Sequence, residues 1–259
     1  MTGPAPAAIT QAALPHAPWT DPALARMPGM RPVAGPWIMV DDAFAAQMAE
    51  RERLIRDRPG DVIAALPDSG DAVDDLFATV LRDLPDGYRR DGEAATRPDG
   101  VAVPLDDPSL ATLGRLVQCD LLLLEKRRDE HVLVAGVLCF PANWSLAQKI
   151  GRPLRRIHAP VDRYDDALAR RVQRLFDRAR AGVPMWRANV LPHDDAVLFH
   201  PRPEWSPQRA ADRPPPFLRS ERQTVLRLPR TGAILFAVHT TVVAWSALTP
   251  QQRATCPLG

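Results

Sequence analysis

The chain has 259 residues, 46% of them hydrophobic and 25% charged, with a formal net charge of +2. That length suits one large domain or a domain with a substantial extension, and the balance is that of an ordinary globular chain. So small an excess charge excludes an overall field drawing it onto nucleic acid or anionic lipid, although basic residues bunch over 149–180 and 219–230.

The 28 prolines cluster at 4–36 and 201–216. The first cluster predicts an extended arm over residues 1–36, the second a long loop of the kind that usually carries function. Trp37–Val40 reads as a short strand, and Asp41-Asp42 as the cap of a helix with Phe44, Met48 and Leu54 on one face. A helix is expected over 61–66, stopped by Pro67. Another is expected over 72–84, where Val73, Leu76, Phe77, Val80 and Leu81 recur at helical spacing. Residues 85–100 read as polar turns, and 108–117 as a helix. The character then changes. Runs 121–124 and 132–140 predict two strands joined by a turn at 126–130. A short helix is expected at 145–150 and a strongly amphipathic one at 163–180. Strands follow at 185–191, 196–199, 218–228 and 233–243, the last two joined by a turn at 229–232. Helices first and strands later predict an α+β fold: a single domain over 37–259, with a helical part (37–117) and an antiparallel sheet core (118–245).

No run approaches the roughly 18 apolar residues that span a bilayer. The N-terminus lacks a basic region followed by an apolar core, so the cytoplasm is the expected compartment, with no membrane and no nucleic-acid partner. Cys119, Cys139 and Cys256 form no CxxC pair, which argues against a structural zinc or disulfide framework. GxGxxG, Walker A and GxSxG motifs are absent, which removes most support for dinucleotide-binding, P-loop and α/β-hydrolase readings.

The stretch Phe140–Pro160 places Trp144, several cations and His158 directly after an apolar strand. A neutral imidazole serves as an iron, zinc or copper ligand, or as a general base. With Lys149, Arg152, Arg155, Arg156 and Arg163 nearby, the stretch could wall a pocket for a planar, anionic cofactor. Alternatively His158 caps a turn and the arginines are solvated. In Arg219–Pro229, alternation puts Glu221, Gln223 and Arg227 on one strand face and Arg222 and Thr224 on the other. The strand either lines a polar cavity, where Glu221 could hold a cationic substrate, or lies at an exposed edge. His239 is a core histidine or a pocket group. His193 precedes Asp194-Asp195, a pattern of turns more than of metal sites, and His200 lies between Phe199 and Pro201. His16 and His131 carry no signal. Trp186 and Asn189 fall on opposite faces of their strand. The paired acids at 41–42, 74–75 and 165–166 read as helix caps.

Three sets of residues carry a resemblance to a known family. They are Phe140-Pro-Ala-Asn-Trp-Ser with Lys149-Ile-Gly-Arg-Pro-Leu and Ile157-His-Ala-Pro-Val161; Arg219-Ser-Glu-Arg-Gln-Thr with Leu228-Pro-Arg-Thr-Gly232; and, upstream, Trp37-Ile-Met-Val-Asp-Asp42 with Ile63-Ala-Ala-Leu-Pro67. Over roughly 37–245 the chain resembles the alpha-subunit family of haem-dependent oxidative N-demethylases. The resemblance implies a PAS-like core binding haem b, and O₂-dependent oxidation of a small secondary amine such as dimethylamine with release of formaldehyde. It also implies electrons from a separate flavin/iron–sulfur reductase or ferredoxin-type partner. Carried over by motif, His158 becomes the axial ligand to iron. Arg155, Arg156 and Arg222 become propionate or pocket groups and Glu221 a polar pocket group; the residue types add Lys149 and Trp144 as cofactor-binding candidates and His239 as a reaction-pocket candidate. The chain departs from the family at Val238-His-Thr-Thr241, where members tend to read Ile-Arg-Thr-Tyr. That leaves the amine open and makes His239 a rival ligand. A haem-binding sensor or carrier without turnover, or a scaffold without haem, are the alternatives.

Overall fold

A computed structural model describes residues 8–25, 27–159, 165–203 and 215–258. In chain order the elements are β1 (Arg31–Pro32), α1 (Phe44–Asp57), α2 (Pro59–Val62), β2 (Ile63–Ala65), α3 (Gly70–Arg82), β3 (Arg89–Arg90), β4 (Ala94–Thr96), β5 (Ala102–Pro104), α4 (Leu110–Leu116), β6 (Asp120–Arg127), β7 (Glu130–Val137), α5 (Leu146–Lys149), α6 (Leu154–Ile157), α7 (Asp166–Arg178), β8 (Met185–His193), β9 (Phe217–Arg227), β10 (Ile234–Ala244) and α8 (Pro250–Thr255). The fold is α+β. An antiparallel seven-stranded sheet has the order β1-β8-β9-β10-β6-β7-β2, and β3-β4-β5 form a small second sheet.

Burial separates the two faces of the large sheet. Leu121 and Leu123 of β6, Ala135 and Val137 of β7, Leu226 of β9 and Leu235 and Ala237 of β10 point one way. They pack with Leu54 and Ile55 of α1, Leu76 and Val80 of α3, and Leu113 and Leu116 of α4. The alternate residues, Leu122, Leu124, Leu133, Val225 and Ile234, pack with Leu146 of α5, Leu154 of α6, and Leu168, Val172 and Phe176 of α7. The period of two along the strands makes this division possible, and a bulge opposite Leu123 and Leu124 resets it in β7, so that Leu133 and Ala135 face opposite ways. The helices inserted between β7 and β8 therefore cover one face, called here the inner face. The N-terminal helices cover the other, the outer face. In α7, Asp165 caps the helix by accepting from Leu168 N at 2.7 Å, and Leu168, Val172 and Phe176 recur every four residues.

Several expectations give way to tertiary pairing. Trp37–Val40 is not a strand; Arg31–Pro32 instead adds to β8. The helix expected over 61–66 is confined to Pro59–Val62, because Ile63–Ala65 pairs with Val137–Ala135 as an edge strand. Residues 85–100 contribute two strands of the small sheet rather than turns alone. No strand forms at 196–199. The early part of the helix expected from 163, Arg163 itself, and most of the 201–216 loop lie outside the described residues. The cysteines at 119, 139 and 256 are unbridged and buried, and burial pushes the Cys119 and Cys139 thiols up to about 12. No helix among the described residues is long and apolar enough to cross a membrane.

Candidate functional site

The candidate site comprises two parts of the inner face, the α5–α6 stretch beside β7 and β2 and a polar row on β8 and β9. Its first wall is anchored at Phe140. The Phe140 and Cys139 amides both donate to Asp120, at 3.0 and 2.7 Å, while Arg219 donates to the Phe140 carbonyl. Both buried charges thus fix the point where the chain leaves β7 for Trp144 and His158. Trp144, Ile150 and Ile157 then pack partly buried on the inner-face core beside Phe236.

His158 follows α6, half-buried. Its Nδ1 lies 2.9 Å from the Leu154 carbonyl. A carbonyl only accepts, so Nδ1 carries the proton and the lone pair falls on Nε2, the arrangement of a ligating histidine. Burial holds the imidazole below its ordinary pKa, hence neutral, with the Leu154 bond opposing and Lys149 adding to the shift.

Lys149 is buried, and its Nζ donates to the Ile157 carbonyl at 2.6 Å, tying α5 to α6. Arg155 is exposed and paired with Asp166 at 2.5 Å. These two cations therefore brace the wall and its outer surface. Arg156 is exposed as well.

Across the sheet, β8 pairs with β9 so that Asn189 stands opposite Glu221 and Arg187 opposite Gln223. Glu221 Oε2 accepts from Asn189 Nδ2 at 3.1 Å, and Glu221 Oε1 lies 3.3 Å from Arg219. Arg187 Nη1 donates to Gln223 at 2.8 Å, but its buried Nε has no partner. Burial lowers the Arg187 pKa, with Glu221 opposing. This is a desolvated cation with an unfilled donor edge. His193 and His200 lie at the end of the row, ring centroids 5.4 Å apart, with His193 Nε2 and His200 Nδ1 buried and without partners. Burial, then Arg219, lowers His193 to about 4.

The expected site residues do not all share this face. Glu221 does; Arg222 and His239, paired across β9 and β10, face outward. There His239 Nε2 meets Asp41 Oδ2 at 2.9 Å, and Arg222 lies over Trp186. Asp41, read as a cap, does accept from Ala43 N, but it also holds His239, Gln11 and Gln118. Asp75, likewise read as a helix-start acid, lies within α3 and clamps the β9–β10 turn through Arg230 N and Thr231. Arg187 and the His193–His200 pair were missed as a unit. Their one signal was a cation on the strand that also carries Asn189.

A surface cleft of about 760 Å³, lined in part by Trp37, Arg82, Asp83, Pro184 and Pro229, lies apart from this row. None of the residues above lines it; the inner face is preferred because His158, Glu221 and the unfilled Arg187 edge are there. Among the described residues no cluster of three or more His, Cys, Asp or Glu could hold a metal ion. The family model described as haem-dependent oxidative N-demethylase, alpha subunit-like, matches residues 30–256.

Proposed function

Since the chain belongs to the haem-dependent oxidative N-demethylase, alpha subunit-like family, we propose that it is the haem-bearing subunit of an N-demethylase acting on a small secondary amine such as dimethylamine. The observation that carries this reading is His158, whose Nδ1 donates to the Leu154 carbonyl so that the ring's lone pair falls on Nε2, on the sheet face that also bears Arg187. The central strands, ordered second-first-fifth-fourth-third with helices inserted between the second and third, support a PAS-like core.

The residues fit a haem b. His158 would hold the iron through Nε2, Trp144, Ile157 and Phe236 would supply apolar wall, and Arg187 would pair with an anionic group of the cofactor. Arg156 remains a second propionate candidate; Lys149 and Arg155 hold the wall in place. When bound, haem supplies O₂ activation and oxidation of the N-methyl carbon, so that the resulting carbinolamine breaks down to formaldehyde and the shorter amine.

The chain's own groups do the rest. Glu221, held by Asn189 and the Glu221 N to Asn189 Oδ1 bond of 3.0 Å, presents a fixed carboxylate that accepts an N–H of the amine. Its Oε1 can hold the proton that the amine gives up, with Arg219 at 3.3 Å stabilising the carboxylate between turnovers. The apolar wall keeps water from the oxidised carbon. Electrons come from a separate flavin/iron–sulfur reductase, as no nucleotide-binding motif is present in this sequence.

The absorption spectrum of protein purified after expression with adequate haem is the test. A Soret band is expected, altered or lost in His158→Ala. No Soret band in the wild type sinks the proposal, and an unchanged band in His158→Ala moves the ligand to His200, whose Nδ1 is unpartnered. Amine-dependent formaldehyde release with a surrogate donor then separates an enzyme from a haem sensor or carrier. Glu221→Gln should retain the band and lower formaldehyde release by about 10²–10⁴-fold.

A further inference from the structure

On the outer face, Arg222 is a half-buried cation whose main hydrogen-bonding edge is unfilled. Its Nη1 lies on the Met39 sulfur, its guanidinium carbon stands 4.8 Å from the Trp186 ring centroid, and its Nε is buried without a partner. Burial lowers its pKa, and among the described residues no acidic group is bonded to it. Elsewhere in the chain, Arg31, Arg53, Arg56, Arg82 and Arg97 each take one carboxylate across the Nε and Nη2 edge. At Arg222 that same edge has nothing on it.

Two imidazoles stand beside it. The His16 ring meets Trp186 edge-on at 5.3 Å, and its Nε2 is buried without a partner. His239, opposite Arg222 in the neighbouring strand, is 5% exposed, with its Nδ1 likewise unpartnered. Asp41 does not supply the missing counter-ion. Its Oδ1 already accepts from Gln118 and Ala43, and its Oδ2 from Gln11 and His239. The unfilled guanidinium edge calls for an anionic partner, because each unpaired buried donor carries a desolvation cost; His239, whose Nε2 donates to Asp41, keeps a lone pair on Nδ1 and adds no donor.

We propose that this outer-face cluster binds a small carboxylate, its oxygens held by Nε and Nη2 of Arg222, with His16 Nε2–H as a third donor. The planar fork matches a carboxylate in the way a lysine would not, and Trp186 fixes the plane of the guanidinium. The site stands on the face opposite the proposed haem site and does not depend on that reading.

The test is titration of the full-length, ¹⁵N-labelled protein with sodium acetate at constant ionic strength, following the Arg222 Nε–H and His16 ring resonances. Saturable shifts of both are expected. Affinity should fall by about tenfold or more in Arg222→Gln and by several-fold in His16→Ala, which leaves the fork intact. Linear, non-saturating shifts, as for a site holding water only, overturn the proposal. So does equal affinity in Arg222→Gln with an unchanged backbone spectrum. Saturation by inorganic phosphate with acetate silent replaces the carboxylate with a phosphate and overturns it as stated. None of these readouts involves haem.

Discussion

Arg51 and Asp120 are both wholly buried, 2.6 Å apart, and the rest of their bonding explains why the pair persists. Arg51 also donates to the Gly114 carbonyl at 2.9 Å, and Asp120 accepts the Cys139 and Phe140 amides. Removing one partner of such a pair strands the other charge without water. Arg51→Met should therefore cost about 3–5 kcal/mol in urea unfolding, and adding Asp120→Asn should recover part of that loss. A double variant no more stable than Arg51→Met would show that the stranded charge is not the cause. Acid stability has a residue-level origin too. Burial, together with Arg222 and His239, lowers His16 from 6.5 to about 4, and His193 is lowered from 6.5 to about 4. The unfolded chain takes up these protons near pH 6.5 and the folded chain only near pH 4. In that window the unfolded state binds more protons, up to about two more, so stability falls as pH falls. Below it Asp41 adds to the loss. Burial pushes its pKa up from 3.8, but His239, Gln118 and Gln11 outweigh that, and the stability they confer disappears as the carboxylate protonates. Melting temperature measured from pH 7 to 4 in carboxylate-free buffer should fall, and the slope should flatten in His16→Gln/His193→Gln. An unchanged slope in that variant would reject this origin.

At the scale of elements, legibility followed how local the cause was. The amphipathic period of α7 and the alternation of β9 and β10 are properties of contiguous residues, and both appear in the fold as read. So does the division of Glu221 from Arg222, and of Trp186 from Asn189, onto opposite faces. The partner across the sheet was not legible. His239 meets Arg222 only through the β9–β10 register, and Asp41 meets His239 only after a chain separation of 198 residues. The same limit explains 61–66, where a good helical sequence is overruled by an edge-strand position beside β7. Helix-on-sheet contacts supply a further case. A Cβ on Gly114 of α4 would stand 2.7 Å from Ile55 Cδ1 and 2.8 Å from Val137 Cγ2, so α4 reaches α1 and β7 only because that side chain is absent. Gly114→Ala should destabilise by about 1–3 kcal/mol despite the helix preference of alanine. Gly60 in α2 has nothing within 4 Å of the same atom, and Gly60→Ala should be neutral or stabilising by up to about 1 kcal/mol. Equal effects at the two positions in denaturant melts would remove the packing argument.

For the whole molecule, the question is what closes the outer face of the sheet, since the inserted helices serve only the inner one. The N-terminal arm does part of it. Gln11 N donates to the Val242 carbonyl, Gln11 Oε1 accepts from Val242 N, and Trp19 reaches Thr255 of the C-terminal helix at 3.0 Å. Leu14 lies in a cluster with Leu218, Val243, Leu248 and Cys256, and Leu24 is buried as well. The described part of the proline-rich segment is thus tied to the last strand at Gln11 and makes a turn of 3-10 helix at Pro18–Thr20. Burying a leucine contributes about 1.5–3 kcal/mol, so deleting residues 1–24 should lower stability by about 3–6 kcal/mol from Leu14 and Leu24 alone. It should also expose Leu218 and Val243, now wholly buried, and raise binding of a hydrophobic dye. The same deletion removes His16 and Gln11 from around Arg222 and His239 but touches nothing on the inner face. Acetate binding should therefore weaken while any Soret band is retained. Loss of both together would mean that the two faces do not act as separate sites, because the sheet between them would then be transmitting the damage.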